Sequence, residues 1–496
     1  MTARSVMVLG TTSGAGKSWL TTALCRWYAR QGLKVAPFKA QNMSNNARVV
    51  AGLAGLDQGG EIGSAQYFQA LAARTQPEVR HNPLLLKPER DTHSQVVLMG
   101  QVNAELTALP WRSRSERVWP QIAQALDALR EENDVVVIEG AGSPAEINLM
   151  SSDIVNLRVA RHADARCLLV TDIDRGGAFA HLYGTWALMP EADRALLHGF
   201  VLNKFRGDAS LLAPAPEQLE ALTGVPTVAT LPMWWRHGLP EEDGVFDASP
   251  AGGPAADGNK GVTVAVIAYP RISNLDEFQP LKNVPGLRLL WVRSPAELAS
   301  LDEGDTIVLP GSKHTSGDLA WLRLQRLDRA IAAHAARGGA VLGVCGGLQM
   351  LGEALIDPHG IDGNAPGLGL LPLVTVFESD KTVRRRVACF KTLAGQWAAL
   401  SGIEVKGYEI HHGQTTQHPA MAAAGDIARA VMPEGIAWQN AAGNVLGLYL
   451  HGLFEDPRAL HALFGARVPT LDSVFDGLAD YVDTHFAPGV LRSLIE

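Results

Sequence analysis

Cysteine is scarce in this sequence. Only four of the 496 residues are cysteines, and no two of them form a C-x-x-C pair. Cysteines so few and so scattered exclude a disulfide framework and argue against a zinc site built from cysteine. We therefore expect a reducing, cytoplasmic compartment. The four residues are Cys25, Cys167, Cys345 and Cys389.

The sequence also lacks an excess of basic charge and a long apolar run. Lys and Arg together number 43 against 51 Asp and Glu, so the formal net charge is −8. A mildly acidic chain has no electrostatic footprint for nucleic acid or for an anionic membrane. The first apolar run, Val6–Leu9, is too short for a signal-peptide core or a membrane span. We expect no nucleic-acid partner and no membrane partner.

Apolar residues suitable for buried cores are plentiful, at 47% of the chain against 19% charged residues. This composition excludes a wholly disordered chain, and the length suits two to four domains of roughly 100–200 residues. One stretch, residues 236–260, is rich in Gly, Pro, Ala and Asp and has no hydrophobic period, which is typical of a linker. We therefore predict two domains, 1–235 and 261–496, joined by the linker 236–260.

Both predicted domains contain short apolar, β-branched runs separated by helical stretches. Runs that are apolar on both faces are typical of parallel strands covered by helices on each side. The predicted fold is α/β, with two doubly wound, mostly parallel-sheet domains that bind ligands beyond the carboxyl ends of their strands. The predicted strands are Val6–Leu9, Val135–Ile138, Cys167–Thr171, Phe200–Leu202, Val262–Ile267, Leu287–Val292, Thr306–Leu309, Ala340–Val344 and Val445–Leu450.

A glycine-rich loop follows the first predicted strand. The segment Gly10-Thr-Thr-Ser-Gly-Ala-Gly-Lys-Ser18 leads into a helical stretch, which is the context of a P-loop that binds ATP phosphates through backbone N–H groups. Lys17 would reach the β- and γ-phosphates, and the Ser18 hydroxyl would bind Mg²⁺. The strict P-loop pattern needs glycine at position 11, where this sequence has threonine. The remaining predicted nucleotide-binding residues of the loop are Thr12, Ser13, Gly14 and Gly16.

The altered spacing Gly10-Thr11-x-Ser13-x-x-Gly16-Lys-Ser resembles the dethiobiotin synthetase branch of P-loop proteins, which activates carboxylates with ATP. Glu139, in Glu-Gly-Ala-Gly at the end of a buried strand, matches the same branch and is a candidate Mg²⁺ ligand. Asn203 also follows a strand. In related nucleotide-binding proteins, an asparagine here recognises adenine, although turn formation is the common alternative role.

A second site is indicated by Gly343-Val-Cys345-Gly-Gly347-Leu-Gln349, which directly follows an apolar strand. A nucleophile flanked by small residues on a strand-to-helix turn is the elbow geometry, which leaves its side chain accessible. The N-terminus of the following helix favours the thiolate. Cys345 is therefore the predicted nucleophile, whereas Cys25, Cys167 and Cys389 are expected to be ordinary buried thiols.

A cysteine nucleophile needs a base, and fifteen histidines compete for that role. His451 is the candidate because Leu-His-Gly-Leu-Phe directly follows a late apolar strand. The elbow with this histidine resembles the class I glutamine amidotransferases, which release ammonia from glutamine through a thioester. In that family, a glutamate two residues after the histidine orients it. This chain has Leu453 there, a departure that the cobyrinic acid amidating group shares, and Glu455 is not assigned the role.

The resemblance to class I amidotransferases implies further roles. The oxyanion-hole donors would be the backbone N–H groups of Gly346 and Gly311, and Gln349 would help to hold the substrate glutamine. His411 and His412, in a family-like segment near the glutamine pocket, are as easily structural and are left out of catalysis.

Several longer segments, together with the loop and the elbow, resemble the cobyric acid synthase family over nearly the whole chain. The resemblance implies ATP- and glutamine-dependent amidation of adenosylcobyrinic acid a,c-diamide at its b, d, e and g side chains, through an acyl phosphate. It implies ATP, Mg²⁺, glutamine and a corrinoid as ligands, with no tightly bound organic cofactor. The segments are Pro37–Ala47, Glu139–Leu149, Asp153–Asn156, Thr171–Gly177 and Asn203–Asp208.

Asparagines and an arginine in these segments are the proposed corrinoid contacts. Asn42, Asn45 and Asn148 offer neutral donors and acceptors, and Arg175 offers a bidentate carboxylate clamp. Loop capping is an equally good explanation for each asparagine.

Three alternative functions stay open. The nearest is cobyrinic acid a,c-diamide synthase, against which the Gln-Asn-Met-Ser-Asn-Asn segment argues. A more distant one is an amidotransferase acting on a cell-wall lipid, which the absence of a cysteine zinc site disfavours. The third is a non-catalytic, partition-type ATP switch with a degenerate glutaminase domain. Its hallmark would be loss of the nucleophile, yet Cys345 is present.

Overall fold

The computed structural model describes residues 2–52, 59–90, 93–235, 237–240, 261–466 and 468–496, with only the backbone at position 90. The chain divides into two compact units. The first unit comprises residues 1–44, 50–243 and 470–496, and the second comprises residues 45–49 and 244–469. No helix in the described part of the chain is long and apolar enough to cross a bilayer.

The observed units differ from the predicted domain ranges at two places. Residues 470–496, predicted to belong to the second domain, cluster with the first unit, and residues 45–49 cluster with the second. The predicted linker lies outside the described residues except for positions 237–240. The difference arises because unit membership depends on packing partners that are distant in the sequence.

The first unit is built on a six-stranded parallel sheet whose central strand, Arg4–Gly10, is flanked by two buried strands. Gly10 pairs with Val170, and Val8 pairs with Glu139. This register brings the loop after Gly10 and the Glu139 carboxylate to the same edge of the sheet. In sheet order, the strands are Thr227–Pro232, Leu197–Phe205, Arg166–Asp172, Arg4–Gly10, Val135–Glu139 and Val35–Phe38.

Helices cover the sheet, which explains its two apolar faces. Beside it lies a smaller four-stranded sheet of Gln41–Met43, Leu84–Arg90, His93–Leu98 and Gln101–Val102. The α-helices of the first unit are Lys17–Arg30, Ser64–Ala72, Ala104–Ala108, Trp111–Glu132, Leu157–Ala163, Ala178–Leu188, Glu191–Arg194, Ala215–Thr223, Leu471–His485 and Val490–Ser493.

The second unit is built on a seven-stranded sheet in which five parallel strands are extended on one side by two strands joined through antiparallel pairing. Its strand Ala340–Val344 pairs with Val445–Leu448, so the residues that follow both strands meet at one edge. In sheet order, the strands are Arg288–Val292, Thr263–Ile267, Thr306–Leu309, Ala340–Val344, Val445–Leu448, Ala437–Gln439 and Arg429–Ala430.

A long antiparallel hairpin, Leu373–Cys389 with Glu404–Gln417, forms most of a second sheet that was not predicted. The α-helices of this unit are Pro295–Leu298, Thr315–Leu324, Leu327–Ala336, Gly346–Leu351, Pro419–Ala423 and Pro457–Phe464. The two large, mostly parallel sheets with their covering helices confirm the predicted fold class.

Candidate active sites

The loop after the first strand is shaped by a glycine that no other residue could replace without strain. Gly16 has φ +99°, and a Cβ there would lie 2.1 Å from Nδ2 of Asn203. Asn203 itself donates a hydrogen bond of 2.9 Å to the Ala15 carbonyl. The predicted adenine-recognising residue therefore braces the loop in this structure.

Lys17 begins the helix Lys17–Arg30 and is buried. Its Nζ donates to the carbonyls of Thr12 at 2.9 Å, Gly142 at 3.1 Å and Ser13 at 3.4 Å. The Lys17 side chain therefore folds back onto the loop that contains Thr12, Ser13, Gly14 and Gly16. A phosphate held in this loop would therefore meet the positive charge of Lys17.

Glu139 is the centre of a buried polar cluster. One of its oxygens, Oε1, accepts hydrogen bonds from Ser18 Oγ at 2.8 Å and Lys39 Nζ at 2.7 Å. The other, Oε2, accepts a bond of 2.5 Å from Gln69 Nε2. Burial raises the pKa of Glu139, but the Lys39 ammonium and the hydrogen bonds outweigh burial and hold the pKa below its ordinary value. The carboxylate is thus ionised at neutral pH.

The predicted metal ligands Ser18 and Glu139 are adjacent, and Asp172 ends the next strand at the same edge of the sheet. Asp172 forms an ion pair with Lys204 at 3.1 Å. Within the described residues, no group of three or more His, Cys, Asp or Glu side chains could hold a metal ion by itself.

The four predicted corrinoid contacts differ in burial and in their partners. Asn42 is buried and donates to Gln66 Oε1 at 3.2 Å. Asn148 is exposed, and Arg175, 79% exposed, lies 3.5 Å from Asp172. The fourth, Asn45, clusters with the second unit.

In the second unit, Cys345 occupies a strained turn between the strand Ala340–Val344 and the helix Gly346–Leu351. Its φ is +52° and its ψ is −106°, a conformation that a residue with a Cβ rarely adopts. The neighbouring glycines are required sterically, since a Cβ on Gly347 would lie 1.9 Å from the Leu309 carbonyl oxygen. The Sγ donates to the Ile410 carbonyl at 3.5 Å. This is the predicted elbow.

His451 and Glu277 form a buried pair, and the side chains of both are 1% exposed. The Nδ1 of His451 lies 2.9 Å from Glu277 Oε1, and Gly452 N donates to Oε2 of the same carboxylate at 3.0 Å. Burial lowers the pKa of His451, but Glu277 and a hydrogen bond with Cys345 outweigh it and raise the pKa well above its ordinary value. The imidazole therefore faces the thiol on one side and a carboxylate on the other.

The predicted oxyanion-hole glycines lie close to these groups. A Cβ on Gly311 would be 3.2 Å from His451 Cε1, and a Cβ on Gly346 would be 2.8 Å from Ser312 N. Gln349 is buried and accepts a bond of 3.1 Å from Thr315 Oγ1. The packing at both glycine positions is thus too close for a side chain larger than that of glycine.

Two further sequence predictions have different outcomes. His411 is held by the Gly413 carbonyl at 2.8 Å and by Glu409 at 3.2 Å, which satisfies both of its ring nitrogens. Burial was predicted for three cysteines and is wrong for Cys389, which is exposed. Cys389 ends a hairpin strand, and side chains of a strand alternate between its two faces. The sequence around Cys389 does not indicate which of these faces is exposed.

Three residues of these sites were missed by the sequence reasoning: Lys39, Gln69 and Glu277. Lys39 lies in the segment Pro37–Ala47, which was singled out for its asparagines. The sequence does not indicate that its partner is Glu139. Glu277 lies 174 positions from His451. No periodicity or motif links residues so far apart.

Comparison with known proteins covers both units. Residues 6–243 match a family model described as a CobQ/CobB/MinD/ParA nucleotide binding domain. Residues 263–459 match one described as a CobB/CobQ-like glutamine amidotransferase domain.

Curated relatives match the chain from end to end. A cobyric acid synthase of Variovorax paradoxus is 81% identical over 100% of both chains. One from a Polaromonas species is 76% identical over 99% of this chain and 98% of its own. One from Polaromonas naphthalenivorans is 76% identical over 100% of both. Identity this high over the full length leaves one conclusion: the chain belongs to the cobyric acid synthase family, the glutamine-hydrolysing ligases of cobalamin biosynthesis.

Proposed function

We propose that this enzyme amidates the b, d, e and g carboxylates of adenosylcobyrinic acid a,c-diamide in the cytoplasm, with ATP as activator and glutamine as ammonia donor. The observation that carries the glutaminase half is the strained Cys345 elbow beside the buried His451–Glu277 pair. The observation that carries the ATP-dependent half is the loop around Lys17 with Glu139 at its edge.

The first unit would perform the activation. A substrate carboxylate oxygen attacks the γ-phosphorus of ATP, the bond to ADP breaks, and an acyl phosphate forms. Lys17 stabilises the charge that develops on the transferring phosphoryl group. Ammonia then attacks the acyl carbon, phosphate leaves, and an amide remains.

Ser18 and Glu139 are the residues that would hold Mg²⁺. Both supply hard oxygen donors, their oxygens lie 2.8 Å apart, and the Glu139 carboxylate is ionised, which suits this ion. Bound there, Mg²⁺ would neutralise phosphate charge. Lys39 lies on the same oxygen of Glu139 and would have to share or yield it.

The second unit would release the ammonia. The Cys345 thiolate attacks the glutamine side-chain carbonyl, the oxyanion forms near Gly311 and Gly346, and His451 donates a proton to the leaving ammonia. Water, deprotonated by His451, then hydrolyses the thioester to glutamate. Glu277 keeps the imidazole oriented and stabilises its charged form, the role that the acid of a triad performs. It does so from a position the family motif does not predict.

Among the corrinoid candidates, Asn148 and Arg175 are exposed and could meet a large polycarboxylate, for which Arg175 would exchange its ion pair with Asp172. Asn42 would first have to leave Gln66. The specificity for the diamide rests on the resemblance of these segments, so the product needs a direct test.

Mass spectrometry of the product separates this function from its nearest rival. The purified enzyme is incubated with ATP, Mg²⁺, glutamine and adenosylcobyrinic acid a,c-diamide. We expect four carboxylates to become amides. Conversion of cobyrinic acid to its a,c-diamide, with no further reaction of the diamide, would support the diamide synthase instead.

Replacement of the nucleophile tests the glutaminase. We expect Cys345→Ala to abolish glutamine-driven amidation and to retain ammonium-driven amidation, because only ammonia production needs the thiolate. Cys389→Ala is the matched control, since Cys389 is exposed and ends a strand of the hairpin sheet, whereas the elbow follows a strand of the seven-stranded sheet. Glutamine-driven turnover that survives in Cys345→Ala would rule out the assignment.

A further inference from the structure

A segment of five residues interrupts the part of the sequence that forms the first unit. Residues 45–49 cluster with the second unit, whereas residues 1–44 and 50–243 belong to the first. Asn46, Ala47, Arg48 and Val49 are all buried. Burial of an arginine on so short a segment requires specific partners.

The backbone of this segment is fastened to the residues that precede Glu277. Asn46 Oδ1 accepts a hydrogen bond of 2.9 Å from Leu275 N. Asn274 Nδ2 donates to the Ala47 carbonyl at 2.6 Å and to Tyr408 Oη at 2.7 Å. Residues 46 and 47 thus fix the start of the turn that carries Glu277.

Arg48 bridges two segments, one on each side of the His451–Glu277 pair. Its guanidinium pairs with Asp276, the neighbour of Glu277, and with Glu455 at 2.5 Å, four residues after His451. It also lies over the ring of Tyr408, 5.2 Å from the centroid. The Tyr408 ring in turn stacks on His451, with centroids 5.1 Å apart and planes at 15°.

The charges in this cluster explain why the bridge is needed. The carboxyl groups of Asp276 and Glu277 are buried and that of Glu455 is 19% exposed; Arg48 pairs with Asp276 and Glu455, and His451 pairs with Glu277. Buried carboxylates without a cation repel one another and compete for protons and for the imidazole. Without Arg48, the carboxylates of Asp276 and Glu455 would compete with Glu277 for the His451 imidazolium. The segments that carry Asp276 and Glu455 would also lose the ion pairs that hold them.

We propose that Arg48, carried by a segment of the ATP-binding half of the sequence, is a positioning residue of the glutaminase. It holds the turn at 274–277 and the segment at 452–455 so that Glu277 faces His451. The proposal rests on the proposed glutaminase function and adds to it a dependence on residues outside the matched amidotransferase region, which begins at residue 263.

Full-length Arg48→Met and Arg48→Lys proteins test this role. Met keeps the apolar stem and removes the charge, whereas Lys keeps the charge and gives up the two-armed geometry. Arg384→Met is the control, because Arg384 forms an ion pair of 2.8 Å with Glu409 on the hairpin of the same unit. Glutamate release gives kcat and KM for glutamine, ammonium-driven amidation reports on the first unit, and a melting curve reports on folding.

We expect Arg48→Met to lower the glutaminase kcat at least tenfold with KM for glutamine and ammonium-driven amidation changed less than twofold. Arg48→Lys should recover part of the loss, and Arg384→Met should match the unaltered enzyme. A kcat within twofold in Arg48→Met, or an equal loss of both activities, would overturn the proposal. Should Arg48→Met fail to fold, Glu455→Gln removes one arm of the bridge and should lower kcat alone, by several-fold.

The same experiment keeps this proposal separate from the glutaminase assignment. If Cys345→Ala keeps glutamine-driven turnover, the proposed function of the second unit fails whatever Arg48 does. If Cys345→Ala is inactive with glutamine but Arg48→Met retains its kcat, only the role of Arg48 fails.

Discussion

At the scale of single residues, the proposed glutaminase depends on His451, which is buried and whose pKa is raised well above its ordinary value. A buried imidazolium is disfavoured unless a carboxylate faces it, and Glu277 is that carboxylate, 2.9 Å from His451. Its second oxygen is held by Gly452 N, so the carboxylate cannot rotate away. The pair therefore fixes both the charge and the direction of the imidazole.

Glu277→Gln tests the contribution of that charge. Glu277 raises the pKa of His451, so its loss should lower that pKa and move the alkaline limb of glutaminase kcat/KM to lower pH. We expect kcat to fall about a hundredfold, equivalent to ~2.7 kcal/mol, because the imidazole also loses its orientation. Glutamate release measured across a pH series checks both effects.

The control for this variant is Glu404→Gln, at an exposed position on the same hairpin as Tyr408. Its pH profile should be unchanged. An alkaline limb that stays in place in Glu277→Gln would contradict the role given to the carboxylate.

At the scale of the loop, Gly16 is required by both its backbone and its surroundings. Gly16→Ala would impose a left-handed conformation, which costs about 1–2 kcal/mol, and would also place a Cβ 2.1 Å from Asn203. We expect at least a tenfold loss of ATP affinity, because the loop must shift, with glutaminase activity unchanged. Equilibrium binding of ATP measures the effect.

Gly32→Ala is the matched control for the loop. Gly32 has φ +82°, but among the described residues no atom beyond its chain neighbours lies within 4 Å of the place that an alanine methyl group would occupy, so this variant carries the conformational strain without the collision. Its ATP affinity should match that of the unaltered enzyme. Equal losses in both variants would show that backbone strain alone, and not the contact with Asn203, matters.

At the scale of helices, Lys17–Arg30 packs against Leu471–His485 through arginine–aspartate pairs. Arg26, with its side chain fully buried, pairs with Asp476 at 2.8 Å and also with Asp472. Arg30, which is 37% exposed, pairs with Asp480 at 2.6 Å. Because water screens the exposed pair, the two arginines should differ in their contribution to stability.

We expect Arg26→Ala to lower the stability of the first unit by about 2 kcal/mol, through lost packing of the arginine stem and lost hydrogen bonds. For a unit of this size, the melting midpoint should fall by roughly 4–8 °C. Arg30→Ala should cost less than about 1 kcal/mol. Calorimetry compares the two variants, and equal midpoints would contradict the packing argument.

At the scale of the whole molecule, we propose that activation of the carboxylate and release of ammonia occupy different units, so they should be separable by mutation. Lys17→Ala should reduce amidation at least a hundredfold, or ~2.7 kcal/mol, whether glutamine or ammonium supplies the nitrogen. Glutamate release should persist, because no residue of the loop belongs to the second unit. Assays of amide and glutamate in the same reaction test this.

The exposed Lys34→Ala provides the control for Lys17→Ala, since both remove one ammonium from the same unit. It should keep both activities. Amidation that survives with ammonium in Lys17→Ala would mean that the loop does not activate the carboxylate.

Most strands of the two large sheets and both candidate loops could be predicted from the sequence, because their signals are local. The P-loop and the elbow each directly follow an apolar strand. The strand and the candidate site residues can therefore be recognised together within one short stretch of sequence. The hairpin Leu373–Cys389 with Glu404–Gln417 was missed because exposed and half-buried residues interrupt its buried ones, so its strands lack a long continuous apolar run.

The sequence by itself determined the α/β fold class, and it predicted a phosphate-binding loop at Lys17, a nucleophile at Cys345 and a catalytic histidine at 451 after a buried strand. Tertiary structure alone decided what surrounds them. Lys39 meets Glu139 across 100 positions, Glu277 meets His451 across 174, and Arg48 meets Asp276 across 228. Charged partners at such separations are chosen by how the elements pack, and a single sequence contains no period or motif that records that packing.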